Sequence, residues 1–294
     1  FVELKVIVGD VTKLETDAII ANLFQDETDP SGITGVVDRA LGGAITRLIS
    51  DGEIKGKKGE QTLIHTLDKM AAPRVLVAGL GKLVDFNEEM IRNLIGETCR
   101  RLRNIGVKRI ATSVNGAGIE SMDLTTSARA IAEGSILGLY RFDKYMSKTE
   151  DSYEVTEIIV AELDPNKVSA IALGLESGSV VAHATNLCRD MVNEPANYMT
   201  PTKMAQIAEE VASDAGLVVD ILERPDMEKM GMGALLGVAK GSVEPPKFIV
   251  LSYEGDPGNP ANNLGLIGKG ITFDSGGISI KSAHNMGEMK GDMA

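Results

Sequence analysis

Towards its C-terminal end the sequence gathers ionisable groups into a glycine-rich run. Residues 268–277 read Gly-Lys-Gly-Ile-Thr-Phe-Asp-Ser-Gly-Gly; Lys281 follows, and residues 289–293 read Met-Lys-Gly-Asp-Met. Asp274 and Asp292 are hard oxygen donors, suited to Mg²⁺ and Mn²⁺ and acceptable to Zn²⁺. Lysines at 269, 281 and 290 stand among them. Such a set could bind a divalent cation and steady negative charge beside it, while the glycines let backbone pass close to a ligand. Taken singly, each Asp or Lys reads as a solvated charge on a glycine-rich surface loop. The residue types alone leave both readings open.

The elements that must position these groups follow from periodicity. Alternation at Leu4, Val6 and Val8 predicts a strand, and the short apolar run 17–21 predicts a buried one. Residues 32–49 read as one helix, 61–67 and 74–78 as strands, and Asn87 as the cap of a helix carrying Met90, Ile91, Leu94, Ile95 and Leu102. A strand at 109–114, a helix at 124–139, a polar linker at 144–152 and a strand at 155–163 follow. Residues 167–192 read as one long helix weakened at Gly174 and Gly178 and ended before Pro195. Thr200-Pro201 opens another helix, closed near Gly216. Strands are expected at 218–222, 247–253 and 264–268, with 227–239 helical or looped. On this reading the strand 264–268 delivers Lys269 at its end, where α/β sheets usually bind ligands.

Strands alternating with helices imply an α/β layer structure, and 294 residues are long enough for two domains at roughly 100–200 residues each. The boundaries drawn from the sequence are an α/β domain at 1–165, a linker helix at 166–193 and a second α/β domain at 194–294. A formal net charge of -12 disfavours nucleic acid as a partner. No apolar run reaches the ~18 residues that cross a membrane, and no signal-peptide pattern opens the chain. Cys99 and Cys188 form no CxxC pair and read as reduced thiols on helices, which fits a cytoplasmic location. His65 and His183 read as structural.

The run 268–277, with Lys281, Asn285-Met286 and residues 288–293, is similar to the signature of the leucine aminopeptidase (cytosol aminopeptidase) family of two-metal exopeptidases. Val-Asn-Glu-Pro-Ala-Asn at 192–197, Thr200-Pro201, and the stretches 227–241 and 246–253 also resemble it. The resemblance implies release of N-terminal amino acids from peptides, leucine-type and broad, with two divalent ions, Mn²⁺ or Zn²⁺ and Mg²⁺ as a further option. It implies Lys269, Asp274 and Asp292 as metal ligands, Asp274 bridging the pair and Lys269 acting through a neutral amine. It implies Lys281 as the cation that polarises the scissile carbonyl, and Met289 as a wall of the first side-chain pocket. The substrate would thus meet Lys269, Asp274, Lys281, Met289 and Asp292. A macro-like N-terminal domain and a homo-hexamer of paired trimers are also implied. The sequence departs from the pattern after Lys281, where Ser-Ala-His-Asn lacks the usual proline; His284 stands at a position that ligates nothing in the family. The family's second motif, carrying an Asp, a Glu and an Arg, is not among these residues, so the chain is expected to stop within the catalytic domain and the 294-residue polypeptide to lack peptidase activity.

A different reading attaches to residues 9–22, Gly-Asp-Val-Thr-Lys-Leu-Glu-Thr-Asp-Ala-Ile-Ile-Ala-Asn, which resemble the opening of macro domains. That resemblance implies an ADP-ribose or nucleotide module with Asp10 at the adenine. The chain departs from it at Asn22-Leu23-Phe24-Gln25, where those domains carry an Asn-Ala-Ala-Asn run.

Overall fold

The computed structural model describes residues 2–25, 27–114, 122–147, 153–259 and 261–294. The chain divides into two compact units, Phe1–Asn186 and Leu187–Ala294. The expected linker at 144–152 falls largely outside the described residues.

The first unit is built on a six-stranded sheet of order β1-β6-β5-β2-β4-β3. In chain order its elements are β1 (Glu3–Val8), β2 (Ala18–Phe24), α1 (Gly32–Ala40), α2 (Ala44–Ser50), β3 (Gln61–His65), β4 (Arg74–Gly81), α3 (Glu88–Asn104), β5 (Arg109–Thr112), α4 (Leu124–Leu139), β6 (Glu157–Glu162) and α5 (Val168–Asn193). Only β3 runs antiparallel, on β4; the other pairings are parallel. Strand alternation sends Ala18 and Ile20 to one face and Ile19, Ala21 and Leu23 to the other. The first face packs on α3, α4 and α5, the second on α1 and α2. Both faces are therefore covered, as parallel strands require.

Two expectations for this unit are corrected. Residues 32–49 form two helices because Gly42 and Gly43 adopt left-handed φ of 70° and 77°, and the Asp38 carboxylate accepts from Ile45 N at 2.7 Å and Thr46 N at 3.2 Å to start the second. α5 runs unbroken through Gly174 and Gly178. A Cβ at 174 would lie 2.3 Å from the Thr125 carbonyl oxygen, and one at 178 would lie 2.5 Å from that of Arg129. Hydrogen at these positions is what lets α5 lie directly on α4. Cys99 is buried on α3, where burial pushes its thiol up to about 12, and Cys188 is exposed on α5.

The second unit takes the end of α5 and then α6 (Pro201–Ala215), β7 (Val218–Leu222), α7 (Arg224–Lys229), α8 (Gly233–Ala239) and β8 (Phe248–Ser252). Thr200 caps α6 by accepting from Lys203 N, and Gly216, at φ 67°, ends it. Strands β7 and β8 pair antiparallel, Val218 opposite Ser252. The expected strand 264–268 is absent: the segment is irregular, and Leu264, Leu266 and Ile267 are 86, 89 and 102% exposed. Apolar alternation makes a strand only where a neighbour completes the ladder, and among the described residues β7 and β8 are bonded to each other alone. The chain closes on a 3₁₀ helix, Met286–Met293.

Candidate metal centre

Lys269 and Asp274 lie on the irregular segment after β8, and Asp292 on the terminal 3₁₀ helix. A tight turn sets the first part of the geometry. Asp274 Oδ1 accepts from Gly276 N at 3.0 Å, and Lys281 N donates to the Ser275 carbonyl at 2.9 Å. Gly276 is in the left-handed region at φ 88°, and a Cβ there would meet the Ser279 carbonyl oxygen at 2.4 Å. Only glycine allows that closure. The turn folds Lys281 back onto Asp274. A backbone bond from Asp274 N to Met289 O, 3.4 Å, brings the 3₁₀ helix alongside.

The charged heads form one connected group. Lys269 Nζ pairs with Asp292 Oδ2 and lies 3.8 Å from Asp274 Oδ2. Lys281 Nζ stands 3.1 Å from the same Asp274 oxygen and 3.2 Å from Met289 Sδ. Their side chains remain open to a ligand, 53% exposed for Lys269, 30% for Asp274, 25% for Asp292 and 40% for Lys281. The Asp292 hydrogen bond raises the Lys269 ammonium above the usual lysine range, with Asp274 adding to it. The hydrogen bond from Lys281, and then that from the Gly276 amide, hold Asp274 below the usual carboxylate range.

These residues fit a divalent cation. Two carboxylates converge on one Lys nitrogen, so the Lys269 proton marks a point where two oxygen donors and a nitrogen donor already meet. That donor set suits Mn²⁺ and Zn²⁺. Lys281 stands to one side, against Asp274 and Met289. The five residues singled out in the sequence thus come together. His284 does not join them: it is exposed, and among the described residues no hydrogen bond or ion pair links its ring to either Asp. His65 ends β3 and His183 lies within α5. Among the described residues no three His, Cys, Asp or Glu side chains form a metal cluster, so without the lysine the site could not be recognised. Sequence reasoning gave Lys290 no role, yet its Nζ donates to the Asn193 carbonyl at 2.8 Å.

A second concavity lies in the first unit. A cavity of about 390 Å³ opens where β1, β2, β4, β5 and β6 end, and Asp10 lines it with Glu27, Glu162, Phe24 and Lys167. Asp10 is held below the ordinary carboxylate range by the Thr12 hydroxyl and then the Thr12 amide. Glu27 accepts from Ser31 N at 3.0 Å and Phe24 N at 3.1 Å.

The profile of the cytosol aminopeptidase family's catalytic domain matches residues 186–294, and that of its N-terminal domain matches residues 23–149. A protein named probable cytosol aminopeptidase from Alkaliphilus metalliredigens is 39% identical over 293 residues, covering 99% of this chain and 58% of its own. One of the same name from Solibacter usitatus is 40% identical over 282 residues, with coverages of 96% and 55%. This chain therefore spans little more than half the length of these relatives. Among solved structures, the bottromycin maturation enzyme BotP in complex with Mn shares the fold at a TM-score of 0.75 and 30% identity, over 95% of this chain and 53% of that one. A tomato leucine aminopeptidase mutant matches at a TM-score of 0.77 and 25% identity, over 100% and 57%.

Proposed function

The chain belongs to the cytosol aminopeptidase family, and on that premise we propose that it forms the metal-binding part of an aminopeptidase that removes N-terminal residues, leucine-type and broad, from peptides. The observation that carries this reading is the convergence of Lys269, Asp274, Lys281 and Asp292. Lys269, Asp274 and Asp292 would hold divalent cations, two in number. A bound cation supplies Lewis acidity, lowering the pKa of water and polarising a carbonyl. Lys281, paired with Asp274, would stabilise negative charge growing on the scissile carbonyl oxygen. Met289, against Lys281, would offer an apolar wall to the substrate's first side chain.

The family and the Mn in the BotP structure support a divalent cofactor. Mn²⁺ or Zn²⁺, with Mg²⁺ as a further option, peptide substrates, assembly as a homo-hexamer and a cytoplasmic location complete the proposal. So does the division at 1–165, 166–193 and 194–294. Among the described residues no helix is long and apolar enough to cross a membrane. The test is hydrolysis of leucine p-nitroanilide by the natural protein with Mn²⁺. Activity should fall about a thousandfold in Lys281→Ala, the scale of losing an oxyanion donor. N-acetyl-leucine p-nitroanilide should not be cleaved. Full activity in that variant would end the assignment.

A second reading, an ADP-ribose or nucleotide module, is favoured by the cavity at the strand ends, the usual place for a ligand in an α/β sheet. Its lining opposes it: Asp10, Glu27 and Glu162 face one lysine, Lys167, a poor setting for a diphosphate. Titrated ADP-ribose should show no saturable binding up to ~1 mM; micromolar binding would reinstate the module.

A further inference from the structure

Met289 and Asp292 are three residues apart on the 3₁₀ helix Met286–Met293. Three residues make one turn of such a helix, so both side chains leave from one face. That face meets Lys281 and Lys269. Lys290 leaves a third of a turn away, and its Nζ donates to the Asn193 carbonyl oxygen at 2.8 Å in a partly buried contact. Asn193 is the last residue of α5. Carbonyls at a helix C-terminus lack intrahelical donors and carry partial negative charge, so an ammonium is well matched to them. Beside it, a Cβ at Gly291 would stand 3.6 Å from Val192 Cγ1, so the backbone of the turn also rests on α5.

We propose that Lys290 is a positioning residue: by tying the terminal 3₁₀ turn to the C-terminal end of α5 it fixes where Asp292 and Met289 meet Lys269, Asp274 and Lys281. This rests on the metal-centre reading. The segment 253–285 has no helix or strand among its described residues, so the site's framework must come from elsewhere. The C-terminal end of α5, at Val192 and Asn193, is regular structure that the turn touches, and Lys290 is the side chain that reaches it. One turn thus has a working face, Met289 and Asp292, and an anchoring residue between them.

Three variants test this. Lys290→Met keeps the length and apolar bulk but removes the donor, Lys290→Arg restores a donor, and Asp292→Asn removes a ligand. Two quantities are measured: amide hydrogen exchange across residues 286–293 in metal-free protein, and the Mn²⁺ dissociation constant. In Lys290→Met the turn should exchange about tenfold faster and Mn²⁺ should bind about tenfold more weakly, the scale of losing a group that orients a ligand. The melting temperature should be unchanged, and Lys290→Arg should restore both readouts. Unchanged exchange or unchanged Mn²⁺ affinity in Lys290→Met, or no rescue by arginine, would overturn the inference. If Asp292→Asn binds Mn²⁺ as well as the wild-type protein, the metal-centre reading itself fails, while the exchange data still decide whether Lys290 anchors the turn.

Discussion

Lys269 has two uses that exclude one another. As an ammonium it neutralises Asp292 and Asp274; as a neutral amine it can give its lone pair to a metal. The ion pairs raise its pKa, so at neutral pH the ammonium form prevails and a metal must displace a proton. The sign follows. On the proposed ligand set each ion bound below the raised pKa would release one proton from Lys269, so affinity would climb with pH, by about tenfold per unit for a single proton. Mn²⁺ dissociation constants measured by titration from pH ~6 to ~9 should fall in that manner. In Lys269→Met that slope should be lost, and a slope unchanged in the variant would mean that the proton comes from elsewhere. The identities of these groups were legible because they lie in one short run of sequence. Their geometry was not. The closure at Gly276 depends on a left-handed φ, and the Lys290 contact reaches a backbone oxygen 97 residues away.

The elements of the first unit were readable where periodicity had one cause. The buried face of α3 and its Asn87 cap follow directly from the residues, and Asn87 accepts from Met90 N. Reading failed where a tertiary neighbour decided the outcome. Gly174 and Gly178 look like helix weak points until α4 is placed against them, and residues 264–268 look like a strand until a ladder partner is sought. The sheet carries one testable electrostatic feature. Glu157 on β6 accepts from Arg109 on β5 and pairs with Lys5 on β1, joining three neighbouring strands. The Lys5 hydrogen bond and then that from Arg109 lower its pKa. A lowered carboxylate contributes stability above its unfolded pKa, near ~4.3, and loses it as pH falls through the folded value. Both basic partners are partly exposed, so screening holds the contribution to about 1 kcal/mol. In urea unfolding, Glu157→Gln should be destabilised by about that amount at neutral pH and match the wild-type protein near pH ~3. A deficit that persists in acid would point to packing instead.

For the whole molecule, the first unit has what independent folding needs: a sheet covered on both faces, with α5 contributing Ile171, Leu175 and Ala182 to the buried interior. Residues 1–186 expressed alone should unfold in one cooperative transition; a broad, non-cooperative melt would show that the unit depends on the rest of the chain. The second unit was legible in its chemistry more than in its architecture. Its motif carries the residues of the proposed metal centre, but its regular structure is slight and its apolar residues are largely exposed. The most direct examination of that centre is anomalous diffraction at the manganese edge from crystals of the protein soaked in Mn²⁺. A peak bounded by Lys269 Nζ and the carboxylates of Asp274 and Asp292 is expected. Manganese found only at other surface carboxylates, with Lys269 still paired to Asp292, would contradict it.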